Sequence, residues 1–255
     1  SCWRITLRGV IMKEVHYLIP GKLRIVQDDK YFKFGTDSVL LANFAEIKEG
    51  DRVVDLGTGS GVISLLLAYK QKPSLVTGLE IQPELVELME RNIELNGFED
   101  KIEVIEGDLC RVEEFIEPGS RDCVVCNPPF TPVSAGKVTE NKYRAIARHE
   151  IKADLEDVIR AAACLLRFGG HFFLVHRAWR MAEAFSLLRS YDLEPKRLRI
   201  VHPRRGKPAD SFLLEARRGG NPGLIVDPVL IVYAGESEEY TREVKEMYGE
   251  DLDEW

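Results

Sequence analysis

The sequence feature that most constrains the fold is a valine-rich run that leads into a glycine-rich loop and then into an apolar helix, at residues 52–69. Glycines stand at positions 57, 59 and 61, and Asp55 precedes the first of them by two residues. A strand, a glycine loop and a helix in this order form a nucleotide-binding βα unit, because glycine lets the backbone approach a ligand closely. The chain is therefore predicted to fold as an α/β protein around a parallel sheet.

Polar residues also end the three predicted strands that follow. Glu80 comes after residues 75–79, Asp108 after residues 101–107, and Asn127 after residues 122–126. Because the carboxyl ends of parallel strands meet at one edge of a sheet, these side chains are predicted to share a ligand-binding crevice. A carboxylate at the position of Glu80 suits ribose hydroxyls, whereas a pyrophosphate would gain little from Asp55. A cationic ligand tolerates that carboxylate.

The turn Asn127-Pro128-Pro129-Phe130 presents hydrogen-bond acceptors rather than donors. Proline has no backbone N–H and a fixed φ angle, so two in a row hold the carbonyls in a rigid turn. Asn127 and Pro128 offer carbonyl oxygens and Phe130 offers an aromatic face, which together suit a planar group that bears an NH₂. An ordinary turn is the alternative, since Asn-Pro commonly begins one.

These residues resemble those of the class I S-adenosylmethionine-dependent amino-methyltransferases. The resemblance implies a Rossmann-like seven-stranded sheet of order 3-2-1-4-5-7-6, S-adenosyl-L-methionine as cofactor and a catalytic turn formed by Asn127, Pro128, Pro129 and Phe130. In that family the two carbonyls accept hydrogen bonds from the target amine and the aromatic ring stacks on the base. The implied cofactor-binding residues are Gly35, Thr36, Asp55, Gly57, Thr58, Gly59, Gly61, Glu80, Ile81, Asp108, Leu109 and Asn127.

Residues 32–38 and 206–210 extend the resemblance to bacterial tRNA adenine-N6 methyltransferases. An RNA adenine methyltransferase acting on tRNA is therefore the leading hypothesis. Relatives with the same turn methylate guanine N2 in ribosomal RNA, and those with tyrosine in place of Phe130 methylate a glutamine in release factors. A noncatalytic RNA-binding module that keeps the fold as a scaffold is an alternative of another class, and a nicotinamide dehydrogenase is a more distant one.

The net charge of −7 is concentrated at one end of the chain. Residues 235–255 contain nine acidic and two basic residues, which accounts for the whole −7. Residues 142–218, in contrast, contain seventeen basic and nine acidic residues, a surplus of +8. Such a surplus favours binding of a polyanion such as RNA. The candidate RNA contacts are Arg144, Arg148, Arg204, Arg205 and Lys207.

The predicted organisation is one domain with two appendages. Residues 1–11 are predicted to be an extension, residues 12–234 the methyltransferase domain with a hairpin and a cofactor-bordering loop at 12–35, and residues 235–255 an acidic, frayed helix. A helix at 154–168 and a terminal pair of strands at 193–201 and 210–216 complete the domain. No apolar run reaches about 18 residues, so the protein is expected to be cytoplasmic.

No metal site is predicted from the five cysteines. Cys123 and Cys126 have the spacing of a zinc pair, but residues three apart on a strand point to opposite faces of the sheet.

Overall fold

The computed structural model describes residues 3–4, 14–27, 35–128 and 153–250. Helices and strands alternate along most of this length, as the sequence predicts. The helices are α1 (Thr36–Phe44), α2 (Val62–Lys70), α3 (Pro83–Asn96), α4 (Leu155–Leu165), α5 (Met181–Ser190) and α6 (Arg242–Met247). The strands are β1 (Trp3–Arg4), β2 (Glu14–Ile19), β3 (Leu23–Gln27), β4 (Arg52–Leu56), β5 (Leu75–Glu80), β6 (Ile102–Glu106), β7 (Arg121–Cys126), β8 (Leu166–Arg177), β9 (Leu193–His202), β10 (Ser211–Arg218), β11 (Ile225–Val226) and β12 (Leu230–Ile231).

The main sheet has the predicted strand order. Its seven principal strands run β6-β5-β4-β7-β8-β10-β9, which is order 3-2-1-4-5-7-6, and the short β11 and β12 both pair with β9. Strands β4 to β8 are parallel, whereas β10 is antiparallel to both of its neighbours. The turn between β9 and β10 therefore lies at the same edge as the carboxyl ends of β7 and β8.

Two apolar layers cover the two faces of the sheet, since both faces of a parallel sheet are normally buried. Val53 and Cys123 face the layer that contains α1 and α2, whereas Val54 and Cys126 face the layer that contains α4 and α5. The prediction that the two cysteines point to opposite faces is confirmed.

The predicted N-terminal hairpin is present and lies against α3. β2 and β3 pair in antiparallel register, and β1 pairs with β2. The backbone N–H of Val26 donates to Asn92 Oδ1 over 2.7 Å, and that of Arg24 donates to Asn96 Oδ1 over 2.9 Å. Two asparagines one helical turn apart thus fix the hairpin to the domain.

The predicted end of the helix at 154–168 was wrong. The helix ends at Leu165, and residues 166–170 already belong to β8. The glycines at 169 and 170 lie within the strand rather than stopping a helix. A Cβ atom on Gly170 would lie 2.9 Å from the carbonyl oxygen of Asp122, so glycine allows β8 to approach β7 there.

The prediction of a frayed acidic tail was also wrong for residues 235–250. The rings of Tyr233, Tyr240 and Tyr248 stack in sequence, with centroids 5.5 and 5.3 Å apart, and Val244 is fully buried. Tyr240 forms a β-bridge with Tyr233 before α6, and Val244 on α6 and Tyr248 at its C-cap pack on the same side. The segment's acidic composition concealed this packing.

Within the described residues, no helix has the length and apolar character needed to cross a membrane. The predicted domain boundaries remain predictions, because most of residues 1–11 and all of residues 251–255 lie outside the described ranges.

Candidate active site

A pocket opens at the carboxyl ends of four adjacent strands, β4, β5, β6 and β7. Its empty volume is about 570 Å³, which includes the part that is open to solvent. Six of the predicted site residues line it: Gly57, Glu80, Ile81, Asp108, Leu109 and Pro128. Six lining residues were missed: Leu56, Leu79, Gly107, Cys126, Ala153 and Val158. These are mainly apolar residues, which in a sequence cannot be distinguished from ordinary core residues.

The glycine loop crosses from β4 towards β5. The backbone N–H groups of Gly57 and Thr58 both donate to the carbonyl oxygen of Leu79, at 2.9 and 3.2 Å. Gly61 has a φ of 87°, and a Cβ atom there would lie 3.0 Å from Met89 Cγ. Glycine is therefore needed at 61 both for the left-handed backbone and for the close approach of α3.

Glu80 is held by three backbone N–H groups. Its Oε2 accepts from Gly59 over 2.9 Å, and its Oε1 accepts from Ile81 and Gln82 over 3.0 Å each. Burial raises the pKa of this carboxyl, although the backbone hydrogen bonds act in the opposite direction. The side-chain Nε2 of Gln82 also donates to Oε1, over 3.5 Å, whereas Oε2 accepts only from Gly59 among the described residues. Each carboxylate oxygen has about two acceptor positions, so Oε2 keeps one for a ligand hydroxyl at the pocket wall.

Asp55 is buried behind the glycine loop. Its Oδ2 accepts hydrogen bonds from the hydroxyls of Thr58 and Ser64, at 2.7 and 2.8 Å. Burial raises the pKa of Asp55 to about 6 despite these two donors. Asp55 does not line the pocket. Its contacts instead hold the glycine loop, which lines the pocket through Gly57.

The next acidic residue, Asp108, begins a short 3-10 helix, Leu109–Glu114. Its Oδ1 accepts from the backbone N–H of Cys110 over 2.9 Å. This hydrogen bond positions Asp108 and Leu109 at the pocket, which Ile81, a residue that is 39% exposed, also lines. The predicted pair of apolar residues for an adenine ring, Ile81 and Leu109, thus borders the same pocket.

Asn127 carries the least satisfied polar atom of the site. Its Nδ2 donates to Ser38 Oγ over 2.9 Å, whereas its buried Oδ1 has no hydrogen-bond partner among the described residues. A buried carbonyl without a partner is costly, typically by about 1–3 kcal/mol. Pro128 is buried and lines the pocket next to this atom, while Pro129 and Phe130 lie outside the described residues.

Ser38, in the first turn of α1, contacts Asn127 and was not among the predicted site residues. Gly35 is the N-cap, is exposed and has no side chain to cap the helix, although threonine and aspartate, the residue types at positions 36 and 37, are common N-caps. Thr36 Oγ1 instead forms a hydrogen bond with Tyr240 Oη over 2.9 Å. Neither Gly35 nor Thr36 lines the pocket, and their predicted cofactor contacts remain predictions.

The predicted RNA contacts between β9 and β10 have different environments. The guanidinium of Arg204 donates to the carbonyl oxygens of Gly235 and Ser237 and lies 5.0 Å from the centre of the Tyr233 ring. Arg204 thus anchors the C-terminal segment. Arg205 and Lys207 are exposed at the sheet edge that carries the pocket. Arg144 and Arg148 lie outside the described residues.

Comparison with known proteins identifies the family. The sequence profile of the methyltransferase small domain family matches residues 29–190, more than half of the chain. The chain belongs to this family. A tRNA1(Val) (adenine(37)-N6)-methyltransferase of Porphyromonas gingivalis is 31% identical over 232 residues, which cover 85% of this chain and 88% of that one.

Solved structures agree with the methyltransferase fold. A "predicted O-methyltransferase" from Agrobacterium tumefaciens is 27% identical, with a TM-score of 0.68 and coverage of 84% of this chain and 95% of that one. A geranyl diphosphate C-methyltransferase from Streptomyces coelicolor shares the fold at 12% identity, with a TM-score of 0.54 and coverage of 71% and 74%. Its structure contains S-adenosyl-L-homocysteine.

This methyltransferase is a class I enzyme that uses S-adenosyl-L-methionine. The pocket fits the cofactor's adenosine, since it combines a carboxylate with a spare acceptor at Glu80, apolar side chains at Ile81 and Leu109, and a glycine-lined wall. When bound, the cofactor supplies an electrophilic methyl group on a positively charged sulfur. Within the described residues, no group of three or more histidine, cysteine, aspartate or glutamate residues is placed to hold a metal ion.

Proposed function

We propose that this methyltransferase transfers a methyl group to the exocyclic N6 amine of adenine in tRNA. The observation that carries the proposal is the buried Oδ1 of Asn127, an acceptor without a described partner, next to the pocket that suits adenosine. An amine with N–H bonds to donate is the complement of such an atom. Adenine as the acceptor agrees with relatives at about 30% identity that are named as tRNA1(Val) (adenine(37)-N6)-methyltransferases.

The protein's part in the reaction is to orient the acceptor. Asn127 Oδ1 accepts one N–H of the target amine, and the carbonyl of Pro128 is the second acceptor. These hydrogen bonds direct the nitrogen lone pair away from the turn. Ser38 holds the Asn127 amide so that its oxygen rather than its nitrogen faces the acceptor. No general base is needed, because the neutral amine is the nucleophile and its proton can leave after transfer.

Binding of an RNA acceptor is supported by the charge of the pocket-bearing edge. Exposed Arg205 and Lys207 lie between β9 and β10, beyond Asn127 in the direction away from the cofactor pocket. Cations in such a position neutralise phosphates without reading the base sequence. Unpaired loop bases are the expected targets, since they can be splayed out of the chain at low cost. A tRNA substrate would also agree with the expected cytoplasmic location.

Methyl transfer from labelled S-adenosyl-L-methionine, followed by mass spectrometry of the nucleosides, tests the proposal. The wild-type protein is incubated separately with unmodified tRNA, with ribosomal RNA and with a release factor. Labelled N6-methyladenosine from tRNA is the expected product. Labelled N2-methylguanosine from ribosomal RNA, or label only in the release factor, would replace the adenine assignment with one of the two alternatives. A protein that binds the cofactor but labels none of them would contradict all three acceptors.

A further inference from the structure

An exposed tryptophan stands at the edge of the sheet where the acceptor must approach. Trp179 belongs to a single 3-10 turn, Ala178–Arg180, that directly follows β8, and 66% of its surface is exposed. Tryptophan has the largest aromatic surface of any residue, so an exposed tryptophan does not contribute the stabilising free energy that its burial would give. Neither the fold nor the cofactor pocket accounts for its position.

The strand register places Trp179 on the acceptor side of Asn127. Cys126 of β7 pairs with Leu174 of β8, so Asn127 lies level with Val175. Trp179 is four residues after Val175 and two residues beyond the end of β8 at Arg177, so its displacement along the strand direction is less than about 13 Å at a rise of ~3.3 Å per residue. The cofactor pocket occupies the β4–β6 side of Asn127, whereas Trp179 is on the β8 side. This separation suits a nucleotide next to the target rather than the target itself.

The surroundings of Trp179 are charged rather than apolar. The guanidinium of Arg180 lies 5.7 Å from the centre of the Trp179 ring and pairs with Glu183. The backbone N–H of Ala178 donates to the carbonyl oxygen of Asp210 over 3.0 Å, which joins the turn to the basic loop at residues 203–210. An exposed aromatic ring that has a guanidinium beside it and is joined to a basic loop is typical of a single-stranded nucleic-acid site.

We propose that Trp179 is a stacking platform for an unpaired RNA base adjacent to the methylated one, with Arg205 and Lys207 neutralising the phosphates that follow. The RNA would then cross the edge from the loop at 203–210, over Trp179, to Asn127. This inference rests on the proposed function, since it assigns a contact to the same RNA substrate. It adds a binding residue that lies outside the cofactor pocket.

The test compares Trp179→Ala and Trp179→Phe with wild type. Fluorescence anisotropy measures affinity for a dye-labelled, unmodified valine tRNA transcript, and calorimetry measures affinity for S-adenosyl-L-methionine. Base stacking on an aromatic residue corresponds to about a five- to 150-fold effect on affinity. Trp179→Ala is therefore expected to weaken tRNA binding by that factor with cofactor affinity unchanged, and Trp179→Phe to stay within about threefold of wild type.

The matched control is Phe168→Ala, because Phe168 is 75% exposed near the opposite, amino end of β8. It should leave tRNA affinity unchanged. Equal tRNA affinity in Trp179→Ala and wild type would overturn the proposal that Trp179 is a stacking platform. An equal loss of tRNA affinity in Phe168→Ala would overturn it as well. Neither result would contradict methylation of tRNA by the wild-type protein. If Trp179→Ala instead impairs only methylation of a release factor, the tryptophan contacts protein and the inference fails. Failure of wild type to methylate any RNA would overturn the proposed function separately.

Discussion

Asn127 Nδ2 donates a hydrogen bond to Ser38 Oγ across 2.9 Å, which joins the end of β7 to the first turn of α1. These two residues are 89 positions apart in the chain, and only the fold brings them together. The contact fixes which end of the Asn127 amide is presented, because the nitrogen is occupied and the buried oxygen is left without a described partner. Ser38 is therefore a positioning residue for the acceptor site.

Replacing Ser38 with alanine should lower kcat while leaving cofactor affinity unchanged. Loss of the hydroxyl lets the Asn127 amide rotate and removes a hydrogen bond of about 1 kcal/mol, which corresponds to roughly a fivefold or larger decrease in kcat. Single-turnover methyl transfer and calorimetry with S-adenosyl-L-methionine measure the two quantities.

A double variant separates positioning by Ser38 from a general effect on α1. In an Asn127→Ala background, Ser38→Ala should cause no further loss, since the two residues act through one contact. Additive losses would mean that Ser38 acts elsewhere. The exposed Ser186 on α5 provides a matched serine-to-alanine control that should leave kcat unchanged.

Glu80→Gln should weaken cofactor binding and destabilise the fold together. The amide NH₂ of glutamine cannot accept from the backbone N–H groups that Glu80 satisfies with both oxygens, so at least one donor loses its partner. The expected cost is about 1–3 kcal/mol of unfolding free energy, with roughly tenfold or greater loss of cofactor affinity. Urea unfolding and calorimetry measure these changes. Glu84→Gln, at an exposed position in the first turn of α3, should change neither quantity.

The buried Asp55 carboxyl should give the protein a distinctive dependence on pH. Its pKa is raised from 3.8 to about 6 by burial, so between these values the folded state binds more protons than the unfolded state. The free energy of unfolding should therefore fall as pH rises from about 4 to 6, by about 3 kcal/mol for this group.

Asp55→Asn isolates that contribution, because an amide oxygen can still accept from Thr58 and Ser64. The unfolding free energies of wild type and Asp55→Asn are measured in urea from pH 4 to 7. As pH rises, the value for wild type should decrease relative to the value for Asp55→Asn. Curves that remain parallel across this range would show that Asp55 titrates normally.

The three basic residues of the β9–β10 loop should respond differently to mutation. Arg205→Ala and Lys207→Ala should each reduce the slope of log affinity for tRNA against log salt by up to about 1, as expected for the loss of a phosphate contact. Arg204→Ala should instead lower the melting temperature, because it frees the carbonyls of Gly235 and Ser237 and uncovers Tyr233. A normal melting temperature for Arg204→Ala would contradict its role as an anchor.

Much of the fold was predictable because it depends on local patterns. Asp55, Glu80, Asp108 and Asn127 each lie at or just beyond the carboxyl end of a recognisable strand, and the parallel sheet that these strands imply brings their positions to one edge. The terminal strand pair and the strand order, 3-2-1-4-5-7-6, came from the family resemblance and are present.

Contacts between distant segments were not predictable. Nothing local to Ser38 indicates Asn127, and nothing local to Thr36 indicates Tyr240, whose hydrogen bond spans 204 residues. The position of the double glycine at 169–170 inside β8 was not predictable, since a sequence does not show that β7 passes close to it. The exposure of Trp179 was not predictable either, because it depends on which surfaces the rest of the chain leaves uncovered.

The most direct test of the central claim is single-turnover methyl transfer by Asn127→Ala, with cofactor affinity measured on the same preparation. If Asn127 Oδ1 is the acceptor that orients the target amine, the rate should fall about 100-fold or more, comparable to the loss of one aligned hydrogen bond in an active site. Affinity for S-adenosyl-L-methionine should stay within about threefold of wild type, since Glu80, Asp108 and the glycine loop are intact. A variant that transfers methyl groups at the wild-type rate, or that loses activity only because it no longer binds the cofactor, would contradict the assigned role.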